Sequence, residues 1–265
     1  MEETTRILYL DKRYLEMRQN LESDNLRLWL QSLKWNDVQR IRIDHVLADY
    51  YVSHSRDGYT IFWQIDDEGN LRDGMMKLYL LDGSVGGLDS IHDRLINAGM
   101  IDIKKQNISP CFFGQHLLTK YPKANINIVE RPVDAIMMSI YWGMTEQEVF
   151  LASATGGNDN LLYGLEKSPF KGRKIGIYPD MCNMGIWTKI AEYFHDENIQ
   201  LRTKFIERVW RPEDGNDADY KTILMHMLED RRAGRTQRVE EIVRDMIAEN
   251  PFFEDLIKSL KLTPI

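Results

Sequence analysis

Cysteine is scarce in this sequence: its 265 residues include two, Cys111 and Cys182. They lie far apart and neither belongs to a CxxC pair. That excludes a zinc ribbon or finger and predicts two buried free thiols in a reducing compartment. Histidine is equally thin, with His45, His54, His92, His116, His195 and His226 scattered along the chain. No HExxH or HxH cluster occurs, so a histidine-based metal centre is not expected. No stretch approaches the ~18 consecutive apolar residues needed to span a bilayer. Met1 to Tyr9 is charged and lacks the apolar core of a signal peptide. The expectation is a cytoplasmic protein with no membrane partner. A basic surplus is also lacking: a net charge of −7 argues against coating nucleic acid through bulk electrostatics. Gly83-Ser84-Val85-Gly86-Gly87 is glycine-rich but lacks the Gly-Lys-Ser/Thr ending of a P-loop, and it reads as a loop. Internal repeats and low-complexity tracts are absent.

What is present suits an ordinary globular protein. Hydrophobic residues make up 43% of the chain and charged residues 28%, enough for a core that needs no disulfide. Two local basic clusters stand out, Arg231, Arg232, Arg235 and Arg238 around Gly234, and Lys171, Arg173 and Lys174. Solvated charge accounts for both, and within them Lys171, Arg173, Arg231, Arg232 and Arg235 are weak candidates for contacts to nucleic acid.

The pattern changes twice along the chain. Residues 1–50 read as mostly helical, with Leu26, Trp29, Leu30 and Leu33 at i, i+3, i+4, i+7 spacing. Next come the β-branched and aromatic runs Tyr50-Tyr51-Val52, Thr60 to Ile65 and Met75 to Leu80. Turn signals at Arg56-Asp57-Gly58, Asp67 to Asn70 and Asp82-Gly83 separate them, which predicts an antiparallel meander. From Asn125 strands alternate with helices. Strands are expected at 126–129, 149–152, 174–178 and 199–206, and helices near 132–143, 159–166 and 185–197. The last of these has Ile186, Ile190, Ala191 and Phe194 on one face. This alternation implies βαβ units and a parallel sheet. After Trp210 a polar loop leads into helices, where Leu256, Ile257, Leu260 and Leu262 form an apolar patch. The expected organisation is 1–124, 125–209 and 210–265: an α/β unit between a helical-plus-meander region and a helical extension.

Ligands of an open parallel sheet bind outside the carboxyl ends of its strands. Glu130 closes the first strand. Gly156-Gly157 follows the second, where the missing Cβ atoms allow close backbone approach to a phosphate. Asp180 closes the third. Two carboxylates at one rim suit Mg²⁺, or Mn²⁺ in its place, which typically takes one or two carboxylates plus water and phosphate.

Ile128-Val129-Glu130-Arg131-Pro132-Val133-Asp134-Ala135-Ile136 resembles the Toprim signature, a strand ending in Glu-Gly and continuing xx-Asp-Ala into a helix. The resemblance spans about 80 residues of βαβαβαβ order and includes the glycine loop. It implies a Toprim-like four-stranded parallel sheet with flanking helices. Within it Glu130 is the catalytic, metal-proximal glutamate, Asp180 the first metal-binding aspartate, and Asp134 a helix N-terminal dipole partner. Two departures stand out. The family's glycine is Arg131 here, another candidate for contact with nucleic acid. The DxD motif reads Asp180-Met181-Cys182, and a thiol is a poor ligand for Mg²⁺. Asp217 or Asp219 could replace the missing carboxylate, and a turn with a helix N-cap explains that segment almost as well. Thr60 to Asp66 and Cys111 to Leu118 are similar to segments of primase-like Toprim proteins from mobile elements and plasmids of Bacteroides-type bacteria. Phe62, Trp63, Phe112 and Phe113 in those segments read as aromatic core, with base stacking as the alternative.

The resemblance implies a cytoplasmic protein of nucleic-acid metabolism, with DNA ahead of RNA and replication or mobile-element proteins as partners. Mg²⁺-dependent phosphoryl or nucleotidyl transfer is the first reading. A decayed Toprim domain that binds nucleic acid or a partner is the second, and a Toprim nuclease the third.

Overall fold

The computed structural model describes residues 6–16, 21–101, 106–107, 109–153, 161–162, 164–166, 168–194, 196, 198–210, 214–232 and 247. Near the start, β1 (Arg6–Ile7) precedes the helices Asn25–Ser32 and Asp37–Asp49. The second of these opens with a capping box. Asn36 accepts the Gln39 N–H at 2.8 Å and Gln39 accepts the Asn36 N–H at 3.2 Å, which satisfies two otherwise orphaned donors. Then β2 (Ser53–His54), β3 (Thr60–Ile65), β4 (Leu71–Tyr79) and β5 (Val85–Ser90) form an antiparallel sheet in chain order. Every residue of β3 is buried, and the strand's period of two divides them between cores. Ile61, Trp63 and Ile65 face the cluster around Leu10 and Leu71, while Phe62 faces the main core. Beyond the helix Ile91–Asn97, β6 (Gln106–Asn107) pairs in parallel with β1.

The second sheet is built from β7 (Asn125–Val129), β8 (Glu148–Ala152), β9 (Ile175–Ile177) and β10 (Ile199–Leu201), all parallel, in the order β10-β9-β7-β8. Alternation again assigns its faces. Ile126, Ile128, Val149 and Leu151 pack with Trp187 and Ile190 on one side; Val129, Phe150 and Ala152 join the main core on the other. Burial on both faces is why these strands read as nearly continuous apolar runs. On the main-core face lies the helix Pro132–Trp142, buried from Pro132 to Tyr141. It packs against Asp37–Asp49 and against the helix Tyr220–Arg232. The main core therefore draws on all three expected segments.

Tyr50 ties these segments together. Its hydroxyl donates to the Phe150 carbonyl at 2.6 Å and is hydrogen bonded with Ser139 Oγ at 2.8 Å, and its ring stacks on Phe113. Gly114 allows this: it has φ +83°, and a Cβ there would meet Tyr50 Cε1 at 2.7 Å. Tyr50→Phe leaves a buried carbonyl unpaired, so a loss of about 1–3 kcal/mol is expected in urea denaturation. An unchanged midpoint would mean the hydroxyl contributes nothing.

The α/β class, the parallel sheet, the meander and the helix near 132–143 all stand as expected. Phe62, Trp63, Phe112 and Phe113 are core. Five local expectations need correction. The strand expected at 50–52 is instead the end of a helix and a turn, with Tyr51 at φ 56°; pairing begins at Ser53. The loop expected at 83–87 gives way to strand from Val85, where β4 offers a partner. The last strand ends at Leu201 and a helix occupies Lys204–Val209. Ile186 is exposed, and Trp187 holds the buried position on its helix. Cys111 is buried but Cys182 is exposed. The patch from Leu256 to Leu262 lies outside the described residues. No helix among the described residues is long and apolar enough to cross a membrane.

Candidate functional site

Chain connections locate the rim where a ligand would sit. From β7 the chain leads to β8 at one edge, and from β9 to β10 at the other. Neighbouring strands whose connections leave in opposite directions form a topological switch point, with a crevice outside their carboxyl ends. Glu130 follows β7 directly and Asp180 lies just beyond β9.

Both carboxylate oxygens of Glu130 are engaged. Oε1 accepts the Asp180 N–H at 2.8 Å and Oε2 accepts Asn183 Nδ2 at 2.7 Å, so Glu130 holds the short turn Met181–Asn183 against the sheet. Burial raises its pKa, and these two hydrogen bonds oppose the rise.

Arg131 is the N-cap of the helix beginning at Pro132, whose fixed φ suits a first helical position. Its guanidinium bridges two acids. Nη1 donates to Asp219 Oδ2, and Nη2 lies 3.2 Å from Asp180 Oδ2. Burial by itself would lower the Arg131 pKa, but Asp180, then Asp219, hold it above the usual value. Asp219 also caps the helix Tyr220–Arg232, accepting the Thr222 N–H at 2.8 Å and Thr222 Oγ1 at 2.7 Å. Asp180 is fully buried, and neither carboxyl oxygen accepts a hydrogen bond among the described residues. Burial first, then Asp134 and Glu130, push its pKa up to about 10.

Asp134 lies beneath this group, fully buried. Its Oδ1 accepts the Lys221 N–H at 2.8 Å and its Oδ2 has no hydrogen bond. Asp134 stands in the first turn of its own helix, where the dipole-partner reading puts it, and also accepts from the first turn of a different helix. Burial, then Asp219, push its pKa up to about 8. Lys77 on β4 adds a positive charge nearby, its own pKa lowered by burial and supported by Asp134.

A pH dependence follows. The unfolded carboxyl loses its proton near pH ~4, whereas folded Asp134 holds it to about 8. Between these values the folded state binds more protons, so stability falls as pH rises. Asp134→Asn should flatten that fall between about pH 5 and about pH 8, measured by chemical denaturation. Identical slopes for variant and wild type would contradict the assignment.

The divalent ion implied by the resemblance does not fit this arrangement. Glu130 has both oxygens occupied, while Asp180 and Asp219 are paired with a guanidinium. Cys182 offers a soft, exposed thiol. Among the described residues no three acid, thiol or imidazole groups stand together as metal ligands.

The structure therefore brings Glu130, Arg131, Asp180 and Asp219 together and leaves other candidates apart. Asp217 is exposed on the preceding turn. Lys171 is exposed, whereas Arg173 donates to the Tyr121 and Ala124 carbonyls and braces a loop. Gly156, Gly157 and Arg235 lie outside the described residues. Arg231 and Arg232 end the helix Tyr220–Arg232. Sequence reasoning missed Asn183 and Lys77. Asn183 could have been found three residues after Asp180 on the same turn. Lys77 gave no signal, because tertiary packing alone places it.

No curated protein matches the sequence. Among solved structures the chain is similar to the primase fragment of the bacteriophage T7 primase-helicase protein, at 13% identity over 76% of this chain and 70% of that one, with a TM-score of 0.46. It is also similar to a DnaG primase catalytic domain bound to ssDNA, at 10% identity over 92% and 90%, TM-score 0.45. A third likeness is the RNA polymerase domain of Mycobacterium tuberculosis primase DnaG, at 13% identity over 94% and 96%, TM-score 0.38. A family model covers residues 24–181, more than half of the sequence and the whole stretch from the first long helix through Asp180. The chain belongs to that family, the domain of unknown function DUF6371.

Proposed function

We propose that this chain is a Toprim-like protein of nucleic-acid metabolism that binds a strand, DNA ahead of RNA, at the rim between β7 and β9 without a divalent ion. The observation that carries this reading is the guanidinium of Arg131 lying between Asp180 and Asp219. It neutralises the acids from within the chain. Its side chain is 40% exposed, and a guanidinium has five N–H donors. Those not directed at the two acids are available to a phosphate oxygen, which arginine binds in planar, paired geometry. The Toprim-like run Ile128 to Ile136 supports nucleic acid as the ligand class. With a net charge of −7, binding should be local and weaken steeply with salt. Residues 125–209 supply Glu130, Arg131 and Asp180, 210–265 add Asp219, and 1–124 pack against them. A cytoplasmic setting in the replication machinery of a mobile element completes the reading.

A second reading, Mg²⁺-dependent nucleotidyl transfer or nuclease action with Glu130 as the acid/base group, is favoured by one observation: the buried Asp180 oxygens lack hydrogen bonds. The two readings separate in one assay, with labelled nucleotides and oligonucleotides incubated with Mg²⁺ or Mn²⁺. No metal-dependent product is expected. A product made by wild type and lost in a folded Glu130→Gln variant would replace the binding reading with the catalytic one.

A further inference from the structure

The backbone at Arg131 makes no demand for arginine. Its φ of −116° and ψ of 144° are ordinary extended values, and its side chain makes no capping hydrogen bond. The reason for arginine must lie in what its side chain touches. It touches Asp219, capped onto one helix, and Asp180, whose carboxyl is fully buried with both oxygens lacking hydrogen bonds. Glu130 and Asp134 add two more carboxyls to the same small volume, and both raise the Asp180 pKa. Such a convergence needs a cation, because buried acids are costly unless neutralised or paired.

We infer that Arg131 is the chain's own counter-cation, its guanidinium standing between Asp180 and Asp219 where a divalent ion would otherwise neutralise them. The inference deepens the metal-free binding reading and rests on it. It makes the acidic rim a network bridged by the guanidinium and independent of metal supply. Removing the guanidinium should convert that network into a metal site. Glycine is tolerated at an N-cap at a cost of only a few tenths of a kcal/mol, so Arg131→Gly removes the charge with little backbone penalty.

The test uses the full chain and Mn²⁺ alone, read by the electron-spin signal of free manganese, by calorimetry and by thermal midpoint. Wild type is expected to show no saturable site up to millimolar Mn²⁺ and no shift in midpoint. Arg131→Gly should gain one saturable site, lost again in the Arg131→Gly/Asp180→Asn double variant, and Mn²⁺ should raise its midpoint. Arg131→Gln, which keeps a long polar side chain without charge, is read in the same way in case the glycine variant does not fold. A saturable wild-type site that disappears in Glu130→Gln overturns the inference. So does a folded, uncharged variant that gains no site. Oligonucleotide binding by wild type in EDTA is scored separately. Its absence would remove the strand-binding reading, while the manganese result still decides the role of Arg131.

Discussion

Arg131→Met is expected to lower the free energy of unfolding by about 3 kcal/mol, the lower end of the range for breaking a buried ion pair from one side. Methionine keeps much of the side-chain volume and removes the charge. Asp180 is fully buried and Asp219 nearly so, hence the loss leaves acids with no internal cation between them. The lower end applies because the Arg131 side chain is 40% exposed and solvent screens part of its field. Proton binding limits the cost as well, since burial, then Asp134 and Glu130, favour the protonated form of Asp180. Urea denaturation at neutral pH measures the loss. A variant as stable as wild type at neutral pH would mean that the ion pairs contribute nothing and that solvent alone satisfies the rim.

The second large effect is expected at Trp187. It is 1% exposed and packs with Ile126, Ile128 and Ile177 beneath the outer face of the parallel sheet. Truncating a buried tryptophan to alanine costs about 3–5 kcal/mol, through lost transfer energy and the cavity left behind. The consequence extends to the site. The helix Met184–Phe194 begins directly after the turn that carries Asp180 and Asn183, and Trp187 lies in its first turn. Loosening that anchor should also loosen the hold of Glu130 on Asn183. Trp187→Ala is expected to reduce stability by that amount in urea denaturation, and Trp187→Phe to recover more than half. A loss below ~1 kcal/mol for the alanine variant would show that the outer face is not the anchor.

Much of this architecture was legible because it depends on short periods. Alternation of two along Thr60 to Ile65, and the recurrence of strand then helix from Asn125, are local patterns with few alternative solutions. The rim was legible for the same reason, since Glu130 and Asp180 fall at strand ends by counting alone. Long-range packing was not. Val85 to Gly87 becomes strand because β4 offers a free edge, information absent from a glycine-rich run. Ile186 and Trp187 are adjacent apolar residues, and only the position of the sheet decides which is buried. The role of Arg131 was hidden most completely. In sequence it was a departure from a motif and a weak phosphate contact. Its two acids come from 49 and 88 residues further along the chain, and no local pattern brings them together.

The most direct test of metal-free strand binding is fluorescence anisotropy with a labelled single-stranded DNA, titrated with wild-type protein at low salt in excess EDTA and again in Mg²⁺. Saturable binding of equal affinity in both buffers, weakened in Arg131→Met, is the expected result. Binding that appears only with Mg²⁺, or no binding in either buffer, would contradict it.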